Sequence, residues 1–118
     1  MFEYRAKVLR VVDGDTLEVE IDLGFHVLFR DTVRLYGVNT PEVFGSKAKT
    51  EKVAGAAASG FVTEWVAKNP TVTLRSHDAR EVGQEKYGRW LAVVSPVFGG
   101  KSLNDELISA GHAVFLVY

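Results

Sequence analysis

The stretch Arg34-Leu35-Tyr36-Gly37-Val38-Asn39-Thr40-Pro41-Glu42 places a guanidinium, an amide oxygen and a carboxylate within a few residues of one another. That set suits a hard cation and a phosphate held side by side; met alone, it equally suits a loop stabilised by a structural ion pair. Two further segments raise the same pair of alternatives. Asp13-Gly14-Asp15-Thr16 reads as a plain hairpin turn, or as a turn that fixes Asp15 as a cation ligand. Glu85-Lys86-Tyr87-Gly88-Arg89-Trp90 reads as a solvated charged turn before a strand, or as a set in which Lys86, Tyr87 and Arg89 meet phosphate oxygens.

Tyr4 to Val12 is apolar enough for a buried strand, and Asp13-Gly14 supplies a turn signal. In Thr16 to Asp22, Leu17, Val19 and Ile21 alternate with acids, the pattern of a half-buried antiparallel strand. Gly24 turns the chain into a third strand, Phe25 to Tyr36, with Gly37 permitting close backbone approach and Thr40-Pro41 breaking the extended run. Val43 to Lys49 reads as an exposed basic loop. Val53, Ala57, Phe61 and Trp65 then recur at every fourth position, with Ala54, Ala58, Val62 and Val66 beside them, which predicts a helix packed on the sheet and ended by Asn69-Pro70. Thr71 to Leu74 and Leu91 to Val94 are the fourth and fifth strands. Ser102 with Asp105 and Glu106 predicts a capped helix, and Gly111 stands where a C′ glycine belongs. Ala113 to Tyr118 is again β-prone. Trp65 and Trp90 read as packing residues, and His26, His77 and His112 as surface or packing residues without ligand spacing.

Five strands in a three-plus-two order, with a helix between the third and fourth and a short C-terminal helix, make a mainly β, α+β chain: a Greek-key barrel of the OB type. At 118 residues and 47% hydrophobic composition the expectation is a single domain over 1–118 with its own core. The absence of cysteine excludes thiol chemistry and disulfides. A net charge of −1 argues against a uniformly basic nucleic-acid coat, though not against one basic face. No segment has the length of a signal-peptide core or a membrane span, so the chain as written is expected to be cytoplasmic, without a membrane partner, or secreted if a signal was removed.

Taken together, Val12-Asp13-Gly14-Asp15-Thr16, then Arg34-Leu35 with Val38-Asn39-Thr40-Pro41-Glu42, then Lys86-Tyr87-Gly88-Arg89 with Leu91-Ala92 resemble the staphylococcal nuclease (thermonuclease) family. A looser match runs through Leu103-Asn104, Leu107 and Gly111 to Val117-Tyr118, so the resemblance covers nearly the whole chain. It implies a Ca2+-dependent endonuclease that hydrolyses DNA and RNA, single strands preferred, at the P–O5′ bond to leave 3′-phosphate ends. It also implies roles. Asp15, the Asn39 side chain and the Thr40 carbonyl would hold Ca2+, Glu42 would orient or deprotonate the attacking water, and Arg34 and Arg89 would bind the phosphoryl oxygens. Lys86 and Tyr87 would hold a neighbouring phosphate, Lys47 or Lys49 would add backbone contacts, and Tyr118 would line the base pocket. A monomer is expected. Two departures stand out. Asn39 occupies the position of an Asp in the family's best-known member, which predicts weaker metal affinity or an altered metal preference. Leu116 replaces an aromatic two residues before Tyr118, which predicts weaker base stacking. The competing reading is a non-catalytic OB module that binds nucleic acid or protein.

Overall fold

The computed structural model describes residues 2–41, 49–77 and 90–116, with the side chains of residues 49–51 outside the described set. In chain order the elements are β1 (Glu3–Asp13), β2 (Thr16–Asp22), β3 (Leu28–Leu35), β4 (Val38–Asn39), α1 (Lys49–Lys68), β5 (Thr71–His77), β6 (Trp90–Pro96), α2 (Leu103–Ser109) and β7 (Val114–Phe115). The barrel closes in the order β1-β2-β3-β6-β5, and β4 pairs with β7 in a separate two-stranded ribbon. This is the OB-type barrel that the strand order predicts.

Closure depends on β1 serving two neighbours. Its first half pairs with β5 (Glu3↔Arg75 to Lys7↔Thr71) and its second with β2, across register shifts at Val8/Arg10 and Val11/Asp13. Such irregularities bend a long strand and increase its twist, which lets it wrap around a small barrel. The seam is the short parallel pairing of β3 with β6, Val33↔Trp90 to Leu35↔Ala92. Inside, Leu17, Val19, Val33, Leu35, Val72, Leu74 and Val94 meet Val62 of α1 and Leu103 and Leu107 of α2. Each such aliphatic side chain contributes about 1.5–3 kcal/mol by leaving water. On the outer face Arg10–Glu18 and Arg30–Glu20 pair across strands at 3.5 and 2.8 Å, exposed contacts of small energetic weight.

Helix α1 buries a different line from the one its large residues suggest. Val53 is 65% exposed, whereas Ala58 and Val62 are fully buried and Phe61, Trp65 and Val66 are half-buried against the core. This face brings Ala58 against the Gly14 turn, its Cβ 3.0 Å from where a Cβ added at Gly14 would stand. Strand β3 begins at Leu28 rather than Phe25, because Gly24, Phe25 and His26 all adopt positive φ. Trp90 is not a packing residue: it is 58% exposed and its indole N–H donates to Asp31 Oδ2 at 3.0 Å. His26 is exposed, while His77 stacks on Tyr36 at 3.7 Å and His112 packs against Phe61.

At α2 the caps follow the sequence. The Ser102 side chain accepts from the Asp105 N–H, and at the other end Gly111 (φ +79) lets the N–H groups of Gly111 and His112 donate to the carbonyls of Ile108 and Leu107. The buried Asn104 on this helix fixes the approach to the site. Its amide N–H donates to the carbonyls of Tyr36 (2.9 Å) and Ala92 (3.2 Å), and its oxygen accepts from the Val94 N–H at 3.0 Å. Side chain, helix and two strands are thereby locked together directly before Gly37.

Candidate active site

Four residues from three segments meet at one end of the β2–β3 pair. Asp15 lies in the two-residue turn between the last β1–β2 partners, Asp13↔Thr16, and Arg34 is paired with Thr16 one strand over. The Asp15 carbonyl accepts from the Leu35 N–H at 2.8 Å, which ties the turn to β3 at that level. Gly37, at φ +74, then reverses the chain into β4 and delivers Asn39 and Thr40 to the same place. The Gly37 carbonyl accepts from the Leu116 N–H, and Asn39 pairs with Val114, so the C-terminal segment holds β4 from its far side.

The two glycines exchange the roles that the sequence suggests for them. At Gly37 no atom of the described residues beyond its chain neighbours lies within 4 Å of an added Cβ, so its function is the positive φ. At Gly14 φ is not positive, and an added Cβ would stand 2.8 Å from Thr40 Oγ1 and 3.0 Å from Ala58 Cβ. Gly14 therefore permits the close approach, of β4 and α1 to the β1–β2 turn.

The side chains form a compact polar cluster. Arg34 Nη2 donates to Asp15 Oδ2 at 3.3 Å and to Asn39 Oδ1 at 3.1 Å. The Thr40 N–H also donates to Asp15 Oδ2, at 3.3 Å, and the Thr16 hydroxyl donates to Asp15 Oδ1 at 3.0 Å. Both members of the Asp15–Arg34 ion pair are buried, at 8% relative exposure each, so their charges interact with little screening by water. Thr16 is a contact that sequence reasoning missed; it stood in the motif, but nothing in its type or spacing said that its hydroxyl turns back to Asp15.

This arrangement bears on a cation. Asp15 Oδ2 and Asn39 Oδ1 already converge on one positively charged nitrogen, and Thr40 Oγ1 beside them is buried without a hydrogen-bond partner among the described residues. Among the described residues no three His, Asp or Glu side chains cluster, so a cation here would rest on one carboxylate supplemented by neutral oxygens and water. An oxygen-only set of low charge fits a hard ion such as Ca2+, bound weakly. Next to the cluster lies a concavity of about 340 Å3, with Asn39, Thr40 and Pro41 on one wall and Gly111, His112, Ala113 and Val114 on the other.

Of the residues singled out in the sequence, the structure brings Asp15, Arg34, Asn39 and Thr40 together. Glu42, Lys47, Lys86, Tyr87, Arg89 and Tyr118 lie outside the described residues, and Lys49 opens α1 with its side chain outside them as well. Trp90, next in the chain to Arg89, pairs with Val33, the neighbour of Arg34.

Comparison with known proteins places this geometry in context. The family described as "Staphylococcal nuclease homologue" matches residues 32–118. The chain is 33% identical to the thermonuclease of Staphylococcus hyicus over 94% of its own length and 59% of that protein's. It is also 33% identical to an uncharacterised protein of Methanocaldococcus jannaschii, covering 93% of this chain and 58% of that one. A third relative, an uncharacterised protein of Bacillus anthracis, is 29% identical over 93% of this chain and 46% of its own. The chain thus spans about half the length of the curated relatives it matches.

Proposed function

The chain belongs to the staphylococcal nuclease family, and from that premise we propose that it is a Ca2+-dependent endonuclease that cuts DNA and RNA at the P–O5′ bond. The observation that carries the reading is the single Arg34 nitrogen that touches both Asp15 and Asn39, residues delivered by different parts of the fold. Asp15, Asn39 and the Thr40 carbonyl would hold the ion, which would supply Lewis-acid stabilisation to the charge that builds on the phosphate.

The remaining chemistry belongs to the chain's own side chains. Glu42 accepts a proton from the attacking water as its oxygen bonds to phosphorus; the P–O5′ bond breaks and the 5′ oxygen takes a proton from solvent to leave as a hydroxyl, with the 3′-phosphate on the other fragment and the Glu42 proton returned to solvent. Arg34 and Arg89 donate N–H bonds to the phosphoryl oxygens, whose charge grows along this path. Asp15 and Asn39 both engage the one nitrogen Nη2 of Arg34, which orients the guanidinium and leaves its Nε and Nη1 donors to meet substrate oxygens. Lys86 and Tyr87 hold the adjacent phosphate, Lys47 and Lys49 contact the backbone, and Tyr118 borders the base.

The reading is tested by digesting single-stranded DNA and RNA with Ca2+ or with a chelator, using the parent, Glu42→Gln and Arg89→Ala. Cutting by the parent is expected only with Ca2+, and each variant should lose about 100-fold or more. Equal residual cutting by all three would overturn the proposal in favour of an OB module that binds without hydrolysing.

A further inference from the structure

A second surface has the chemistry of a nucleic-acid contact and lies away from the cluster just described. Between the end of α1 and the turn after β6 runs an open groove of about 470 Å3, whose walls include Arg5, Lys68, Pro70, Thr71, Pro96 and Phe98. Phe98 is completely exposed, at 102%. It is presented by a closed turn: the Gly99 N–H donates to the Pro96 carbonyl at 3.1 Å, and Gly99 and Gly100 take up the left-handed backbone that follows. Displaying a phenyl ring at such a tip leaves its whole apolar area in water, an unfavourable state that a stacking partner would relieve.

The charges point to what that partner is. Arg10, Arg30 and Arg75, the neighbouring strand arginines, are each paired with a glutamate. Arg5 and Lys68 are exposed, and among the described residues neither has a carboxylate within ion-pairing distance. No acid lines the groove among the described residues. Two cations without a carboxylate partner among the described residues, beside an exposed ring, combine the two devices by which proteins hold single strands without reading sequence, a positive track for phosphates and a face for a base.

We propose that this groove is a second docking site for a single-stranded nucleic acid, Arg5 and Lys68 meeting backbone phosphates while Phe98 stacks on a base. The inference rests on the nuclease reading, since it names where the substrate chain runs beyond the bond being cut. Position along α1 gives the scale. Ala58 abuts the Gly14 turn at the cluster, and from Ala58 to Lys68 the helix axis advances about 15 Å. The groove therefore engages a strand several nucleotides long and is out of reach of a fragment confined to the cleavage site.

Fluorescence anisotropy in a chelator, which prevents cutting, tests this with a 16-nucleotide labelled DNA strand. Phe98→Ala is expected to weaken binding of the 16-mer about five-fold or more, by loss of one stacking contact. The Arg5→Gln/Lys68→Gln double variant should flatten the slope of log affinity against log salt by about 1.4. Both should keep the parent's melting temperature. Parent-like binding of the 16-mer by both variants would overturn the proposal. So would displacement of the 16-mer by polyglutamate as effective as that by unlabelled DNA, which would mark an acidic peptide as the occupant. Failure of the nuclease reading registers separately, as the parent's inability to cut the strand when Ca2+ is supplied.

Discussion

Strand β2 has a turn at each end, and the two are built on opposite principles. The Gly14-Asp15 turn is buried and held from three directions: the Asp15 backbone by Leu35, its carboxylate by Thr16, Thr40 and Arg34, and Gly14 by the close approach of Thr40 and Ala58. Among the described residues, the turn into β3 is held only from within, by the Val27 N–H to the Gly24 carbonyl, the Leu23 N–H to the Val27 carbonyl and the Gly24 N–H to Asp22 Oδ1. At its centre Phe25 and His26 adopt φ of 54° and 61°, conformations costing side-chain-bearing residues roughly 1–2 kcal/mol each. Phe25 is also 98% exposed. One turn is fixed by the groups around it, so changes there propagate to the site; the other is strained and isolated, so changes there stay local.

The comparison is sharpest at Asp15. Replacing it with Ala strands the buried Arg34 guanidinium, which is 9% exposed at the side chain, and stability to urea should fall by about 3–5 kcal/mol. A loss under about 1 kcal/mol would show that the pair is not buried as described. Gly14→Ala is expected to have the next largest effect. Its methyl group displaces Thr40 and Ala58, lowering stability by about 1–3 kcal/mol with no change in the β2–β3 turn. Unaltered urea midpoints would break the claim that this glycine serves close approach. The far turn should respond in the opposite sense. The F25N/H26G double variant supplies residues suited to two successive positive-φ positions, and stability should rise by about 1 kcal/mol while Ca2+-dependent cutting remains at the parent's level. Destabilisation would mean that Phe25 or His26 has a partner that its exposure conceals.

The same two turns show what sequence can and cannot convey. Strand β2 was legible to its ends, because Leu17, Val19 and Ile21 alternate with polar residues and one face is buried. Helix α2 was legible through Ser102 and Gly111, whose caps are local chemistry. The meeting of Asp15 with Arg34, Asn39 and Thr40 was anticipated by family resemblance, not by any periodicity. What stayed hidden depends on contacts distant in sequence: the rotation of α1 toward Ala58, the different reasons for Gly14 and Gly37, and the ribbon of Val38–Asn39 with Val114–Phe115, too short to leave a pattern. Phe25 and His26 were misleading for a physical reason, since aromatic and apolar residues favour strands and this turn uses residues that turns ordinarily avoid.

The most direct test of the site is the cutting rate of single-stranded DNA at saturating Ca2+ by Asp15→Asn, measured beside the parent and F25N/H26G. Asparagine keeps the side chain's shape but removes its negative charge, and a fall of about 100-fold or more is expected for this variant alone. Cutting by Asp15→Asn at the parent's rate would contradict it.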